Sequence, residues 1–257
     1  MIKRNPKQEG SNLWDCKTQV GNCPMDCNQC FANRLGAAYI PMDEQILPTV
    51  EEVGDGILRA NCLHDSNFGR EELIEFCKRY KKVFYNTSIP KFDFPAPVVF
   101  TANPKEEEEG YILPDALTPV PDNLMFVRLR VSTSNLHLID EQVSYWARTL
   151  RVPVVLTFMA YYEEEAIPGK WFSKDFERLC VGPVENCNFL CYEHKIRHIN
   201  SYWCPTKEFM AYVLKRMKKA GGRLVTMCGT PDSYFCRDCR NCEYFYFLTL
   251  KHMVENK

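Results

Sequence analysis

Cys23, Cys27 and Cys30 stand at the spacing C-x3-C-x2-C within one short stretch. Thiolates this close together can each bind one iron of a cubic [4Fe-4S] cluster, and three of them leave the fourth iron without a protein ligand and open to a small molecule. Cys16 lies seven residues before Cys23, so Cys16, Cys23, Cys27 and Cys30 also make up the four thiolates of a closed, catalytically inert zinc site. A second constellation lies near the end of the sequence. Cys236, Cys239 and Cys242 follow one another as C-x2-C-x2-C, with Cys228 upstream, and four thiolates there would saturate either an iron–sulfur cluster, as an electron-transfer or structural centre, or a zinc ion. Cys180, Cys187, Cys191 and Cys204 form a looser third group. Cys62 and Cys77 fall in apolar segments and read as buried small hydrophobes.

Fourteen cysteines in 257 residues would fit a disulfide framework in a short secreted chain with an export signal. This sequence is long, opens on a polar segment over 1–12, and crowds its cysteines into clusters, which metal binding explains better. A net charge of -1, with 46% hydrophobic and 25% charged residues, leaves no basic excess to indicate nucleic acid. The most apolar stretch, 152–162, is too short to span a bilayer. The sequence therefore predicts a cytoplasmic protein with no membrane partner.

The elements that position these cysteines are legible from periodicity. Residues 57–63 read as a strand, 71–82 as an amphipathic helix with Leu73, Phe76, Cys77 and Tyr80 on one face, and 83–86 as the next strand. Residues 97–102 and 124–131 are further strands, 139–151 a helix carrying Val143, Trp146, Ala147 and Leu150 on one face, and 154–158 a strand. After the Thr206 cap, 207–220 forms a helix stopped by Gly221-Gly222, and 223–228 is the final strand. Strands alternating with helices imply parallel pairing. With six strand candidates and no Gly-x-Gly-x-x-Gly fingerprint, the expectation is a single α/β domain, a partial parallel β/α barrel over 1–228. Residues 229–257 then form a Cys-rich, metal-binding extension whose 244–248 run packs on the barrel once metal orders it.

In a parallel barrel the reacting groups gather at the carboxyl ends of the strands. His64-Asp65-Ser66, Asn103, Ser132-Thr133-Ser134 and Cys228 fall there. In the strand 124–131, alternation puts Phe126, Arg128 and Arg130 on one face and Val127, Leu129 and Val131 on the other. The apolar face packs on helices, so both arginines point into the barrel. A buried guanidinium there needs an anion, either a ligand carboxylate or an internal Asp or Glu. Arg130, nearer the carboxyl end, is the favoured ligand contact. The acidic run 163–165 and the aromatics Tyr161, Tyr162, Trp171 and Phe172 form an insertion that either caps the mouth or lies in solvent.

The loop Gly21-Asn22-Cys23-Pro24-Met25-Asp26-Cys27-Asn28-Gln29-Cys30-Phe31-Ala32 resembles the signature of the radical S-adenosylmethionine (radical SAM) superfamily. That resemblance implies a partial β/α barrel of the radical SAM type. It implies a [4Fe-4S] cluster on Cys23, Cys27 and Cys30 whose open iron chelates S-adenosylmethionine, and reductive cleavage to a 5'-deoxyadenosyl radical that abstracts hydrogen from a substrate. It also implies a reductant protein of the flavodoxin or ferredoxin type. The pattern departs from the superfamily in two places. Gln29 fills the slot before the third cysteine where an aromatic is common, with Phe31 following instead. No Gly-Gly-Glu segment follows the second strand, and His64 and Asp65 occupy its place. The implied cofactor contacts are Gln29, Phe31, Asp65, Arg130 and Ser132. Cys228, Cys236, Cys239 and Cys242, faintly similar to the C-terminal cysteines of small radical SAM-like proteins of phages and mobile elements, would hold a second [4Fe-4S] cluster or zinc. Two alternatives from other classes are a zinc-stabilised, non-catalytic binding protein and an iron–sulfur electron carrier.

Overall fold

The computed structural model of the chain describes residues 5–25, 45–102, 119–131, 135–158, 176–183, 190–191, 196–197, 199–233 and 235–256, and of 176–204 the backbone alone. Strand β1 (Leu13–Asp15) is followed by the short helix α1 (Val50–Val53), then β2 (Ile57–Ala60), α2 (Arg70–Cys77), β3 (Val83–Thr87), β4 (Val98–Thr101), β5 (Leu124–Val131), α3 (Leu136–Val143) and β6 (Val154–Phe158). An antiparallel insertion comes next, pairing β7 (Phe176–Pro183) with β10 (Ile199–Pro205) and β8 (Leu190–Cys191) with β9 (Ile196–Arg197). Helix α4 (Lys207–Gly221), strand β11 (Val225–Met227) and helices α5 (Cys236–Cys239) and α6 (Asn241–Glu255) complete the order. Strands β1 to β6 and β11 form one seven-stranded, all-parallel sheet in the order β1-β2-β3-β4-β5-β6-β11, curled into a half-barrel.

The sheet is buried on both faces, as a parallel sheet must be. On the convex side Leu58, Tyr85, Phe100, Val127, Leu129 and Leu156 pack on Leu73 and Cys77 of α2, Ile139 and Val143 of α3, and Phe209, Val213 and Met217 of α4. On the concave side Leu13, Ile57, Phe84, Val99, Phe126 and Val155 meet Phe245 and Tyr246 of α6. The C-terminal helix thus fills the hollow of the half-barrel, its Phe245 ring 5.5 Å from that of Phe126. Strand β5 keeps the expected alternation from Phe126 onward. A bulge at Met125, between the pairs Val98–Leu124 and Val99–Phe126, lets Met125 and Phe126 both face the hollow.

Several elements differ from their sequence-based bounds, each for a local reason. The strand expected over 57–63 stops at Ala60, because Asn61 turns the backbone left-handed at φ 52°. The helix expected over 71–82 ends at Cys77 and gives way to a turn closed by Tyr80 N–H donating to Cys77 O at 3.0 Å. The helix expected over 139–151 begins at Leu136 and widens into a π-helical stretch, Ser144–Thr149. Strand β1 has only three residues, too few to show a period, so six expected parallel strands become seven. Among the described residues no helix is long and apolar enough to cross a membrane. The helix expected within 31–38 lies outside the described residues.

Candidate functional site

Each strand from β1 to β6 changes from apolar to polar over two residues on its concave face: Leu13 to Asp15, Ile57 to Arg59, Phe84 to Asn86, Val99 to Thr101, Phe126 to Arg128 and Val155 to Thr157. Successive same-face residues rise by about 7 Å along a strand. The apolar set is therefore the floor sealed by α6, and the polar set is a ring nearer the carboxyl edge, where ligands of parallel sheets bind.

Arg59 and Asp15 close one side of the ring with a two-pronged ion pair, Nε to Oδ1 at 2.7 Å and Nη2 to Oδ2 at 2.8 Å. Asp15 also accepts from Gln8 Nε2 at 2.7 Å and Asn5 Nδ2 at 3.3 Å. Arg128 is placed differently. Its Nη1 reaches Asn86 Oδ1 and Thr101 Oγ1, each at 3.4 Å, and its guanidinium lies over the Phe126 ring at 5.9 Å. Burial lowers its pKa, the Arg59 charge adding to this, while the thiols of Cys242 and Cys228 oppose it. Thr157 Oγ1 is buried without a hydrogen-bond partner among the described residues. Arg130, the favoured ligand contact, is buried and donates from Nε and Nη2 to Ala102 O at 3.3 and 3.2 Å.

Cys23 lies at the carboxyl edge above β2 and β3. The backbone N–H of Asp65 donates to Cys23 Sγ at 3.3 Å. Asp65 is itself fixed by its surroundings: Asn67 N–H donates to Oδ1 at 2.9 Å, the Thr87 hydroxyl to Oδ1 at 3.0 Å, and Ser88 N–H to Oδ2. Burial raises its pKa against these donors. The Thr87 hydroxyl lies 3.2 Å from Oδ2 as well, so both carboxylate oxygens are engaged from two sides. Neighbouring His64 is buried, edge-on to Phe68 at 6.1 Å, and burial lowers its pKa. Lys17, fully buried on the strand extension after β1, places a charge near His64 and Cys62. Cys27, Gln29, Cys30, Phe31 and Ser132 lie outside the described residues.

Cys16, the fourth thiol weighed for the first loop, is fully buried in the core on the helix side, beside Cys77 and Cys62. Burial pushes all three thiols up, Cys77 to about 12. Cys16 and Cys77 are packing groups of the core, whereas Cys62 is only half-buried.

The four C-terminal cysteines share one neighbourhood at the other end of the ring. Cys228 leaves β11 with its N–H on Leu156 O at 2.8 Å, while Cys236 and Cys242 pack against the apolar floor. Asn241 Nδ2 donates to Met227 O at 2.5 Å and ties α6 to the end of β11. The neighbouring Cys239 thiol lowers the pKa of Cys228, helped by Lys7, Arg128 and Arg59, and Cys239 moves up in exchange, its Sγ also lying 3.9 Å from Cys236 O. Burial and the neighbouring sulfurs raise Cys236, and burial raises Cys242. The sulfurs therefore stand close enough to sense one another or the same two arginines. Among the described residues no three Cys, His, Asp or Glu side chains stand in ready-made ligand geometry. The donor set nevertheless fits a soft cation: four sulfurs gathered at one strand end. Of the looser group, Cys180 lies on β7, Cys191 on β8 and Cys204 on β10, and Cys187 is outside the described residues.

Asp15, Arg59 and Thr157 were not singled out by sequence reasoning. The signal for them is the apolar-to-polar step at i, i+2 repeated in six strands, which becomes visible once the core packing shows which face of each strand meets the C-terminal helix. No protein-family model, curated protein or solved structure matches the chain.

Proposed function

We propose that the chain is a radical SAM-type enzyme in which Cys23, Cys27 and Cys30 hold a [4Fe-4S] cluster with one open iron. The observation that carries this reading is the Asp65 N–H donating to Cys23 Sγ at the carboxyl edge of the half-barrel. A main-chain donor aimed at a sulfur suits a metal-bound thiolate, because such hydrogen bonds offset its charge and set the cluster potential. Burial of Cys16 on the helix side favours three ligands over four, and hence an open position.

When bound, the cluster supplies one electron to the sulfonium of S-adenosylmethionine, whose carbon–sulfur bond breaks to give the 5'-deoxyadenosyl radical that takes a hydrogen atom from substrate. The chain's own residues bind and orient. Asp65 takes the ammonium group, Gln29 and Phe31 take the adenine, and Arg130 and Ser132 hold the far side of the cofactor. The floor under the ring, closed by Phe245 and Tyr246, keeps water from reaching the site from below. Cys228, Cys236, Cys239 and Cys242 hold a second centre, iron–sulfur or zinc, and a flavodoxin- or ferredoxin-type protein supplies the electron.

Electron paramagnetic resonance of the anaerobically reconstituted, dithionite-reduced protein tests this. A [4Fe-4S]+ signal that changes shape on adding S-adenosylmethionine, with the change lost in Cys27→Ala, is the expected result. A reduced-cluster signal indifferent to S-adenosylmethionine would make the protein an electron carrier. Stoichiometric zinc without iron would make it a zinc-stabilised binding protein.

A further inference from the structure

Two arginines enter the polar ring, and they are not equivalent. Arg59 spends its guanidinium on both oxygens of Asp15 at 2.7 and 2.8 Å. Arg128 makes two hydrogen bonds, both from Nη1, both to neutral oxygens, and both at 3.4 Å, beyond the ordinary N–H···O range of about 2.7–3.2 Å. Among the described residues no Asp or Glu carboxylate is in ion-pair contact with Arg128, and Asp15 is already taken. A guanidinium held on the inner wall of a half-barrel needs an anion to offset its desolvation.

The groups that supply one are sulfurs. Strand register sets β5 beside β6 and β6 beside β11, with Thr101, Arg128, Val155 and Thr226 in one row. Cys228 leaves β11 two residues beyond that row, and Cys242 packs on the floor formed in part by Phe126, whose ring lies under the Arg128 guanidinium. We infer that Arg128 is the counter-charge of a metal centre held by Cys228, Cys236, Cys239 and Cys242, and thus a positioning residue of that centre rather than a substrate anchor. The inference rests on reading the four thiols as metal ligands.

The charge balance gives the reason. Four thiolates around Zn2+, or around a [4Fe-4S]2+ core, leave a net charge of -2, which a cation held beside the centre offsets. A guanidinium suits the task better than an ammonium, because it is weakly hydrated and presents several N–H groups to several sulfurs at once. Substrate-free Arg128 then needs no other partner.

Zinc affinity measures this without reference to turnover. In full-length protein carrying Cys23→Ala, Cys27→Ala and Cys30→Ala, stripped of metal and titrated with Zn2+ against a chromogenic chelator, one zinc binds to the parent. Cys239→Ser abolishes tight binding, Arg128→Met weakens it at least tenfold, and Arg128→Lys restores most of the loss. Arg128→Gln keeps a polar side chain toward Asn86 and Thr101, gives the same weakening, and serves if the Met variant does not fold. With iron in place of zinc, the reduction midpoint of the Met or Gln variant falls relative to the parent. A folded Arg128→Met or Arg128→Gln protein that binds zinc as tightly as the parent would overturn the role of Arg128 alone. A parent that binds no zinc, or binds it equally after Cys239→Ser, would overturn the four-thiol centre and the counter-charge together.

Discussion

One residue type has at least two fates in this chain, and the face of the sheet decides which. Cys16 and Cys77 sit in the helix-side core, whereas Cys228, Cys236 and Cys242 sit at the concave side and its carboxyl edge. The helix-side thiols are surrounded by apolar groups, and burial raises them. Cys77, ordinarily near 9.0, is pushed to about 12. Its proton is therefore held more tightly in the folded than in the unfolded state. The stabilisation this gives is complete below about pH 9 and is lost as pH rises toward 12. Each such thiol should remove roughly 1.4 kcal/mol of unfolding free energy per pH unit in that window. Urea unfolding between pH 8 and pH 11 should show a fall with pH that is shallower in Cys77→Ala by about that slope. Equal slopes in the two proteins would mean that Cys77 titrates like a free thiol. Arginines divide too: Arg59 has Asp15 for a partner, whereas among the described residues Arg128 has no carboxylate in ion-pair contact and bonds only to the neutral oxygens of Asn86 and Thr101.

At the level of elements, the tightest approach in the fold is where α4 runs into β11. A Cβ on Gly221 would overlap Val225 Cγ2 and stand 2.7 Å from Val143 Cγ1 and 2.8 Å from the Ala147 methyl. The partners belong to α3, its π-helical continuation and β11, none of which is a flexible side-chain end. Gly221→Ala should destabilise the protein by about 1–3 kcal/mol through overpacking, read as a lower urea midpoint, although alanine is the better helix former. A neutral or stabilised variant would mean that α3 and α4 are not pressed together there. The pair also shows what the sequence made legible. Helix α4, with its Thr206 cap bonded to Phe209 N–H at 3.3 Å and its Phe209, Val213 and Met217 stripe, was readable because cap, period and glycine stop agree. Strands β5 and β6 were readable for the same reason: five or more residues of one pattern. Strand β1 was not, since three residues carry no period and its place comes from pairing with β2. Nor was the π-helical widening of α3, because packing on α4 rather than local propensity sets it. The site was half legible. Cysteine spacing pointed to both thiol groups, and alternation in β5 pointed to the two inward arginines. Those are Arg128 and Arg130; Arg59, which takes the Asp15 carboxylate, was not legible, because Asp15 lies 44 positions before it and only strand pairing brings the two together.

For the molecule as a whole, the decisive feature is that α6 lies inside the half-barrel and not beside it. Six strands each send at least one apolar side chain to the hollow, from Leu13 on β1 to Val155 on β6, with Met125 beside Phe126 on β5, and Phe245 and Tyr246 are the buried helix residues that cover them. The two ends of the described chain lock this arrangement from both sides. Asn12 Nδ2 donates to Glu243 Oε1 at 2.8 Å, Arg237 Nη1 to Glu9 O at 3.4 Å, and Asn256 Nδ2 to Asp122 Oδ1 at 2.9 Å. A segment that behaves as an appended extension should be removable with little harm to the barrel. A plug should not be, because two aromatic side chains bury about 150–250 Å2 each, and uncovering the floor opens an apolar face as large as the biggest patch, a few hundred Å2, that a soluble monomer ordinarily exposes. Truncation after Cys228 should therefore yield a chain that aggregates, or that binds the dye ANS and loses its cooperative urea transition. Metal does not enter that prediction, since the floor is apolar and lies below the four thiols. A soluble, dye-silent chain of residues 1–228 with one sharp transition would show instead that the sheet stands alone, and that α6 serves the cysteine centre rather than the fold.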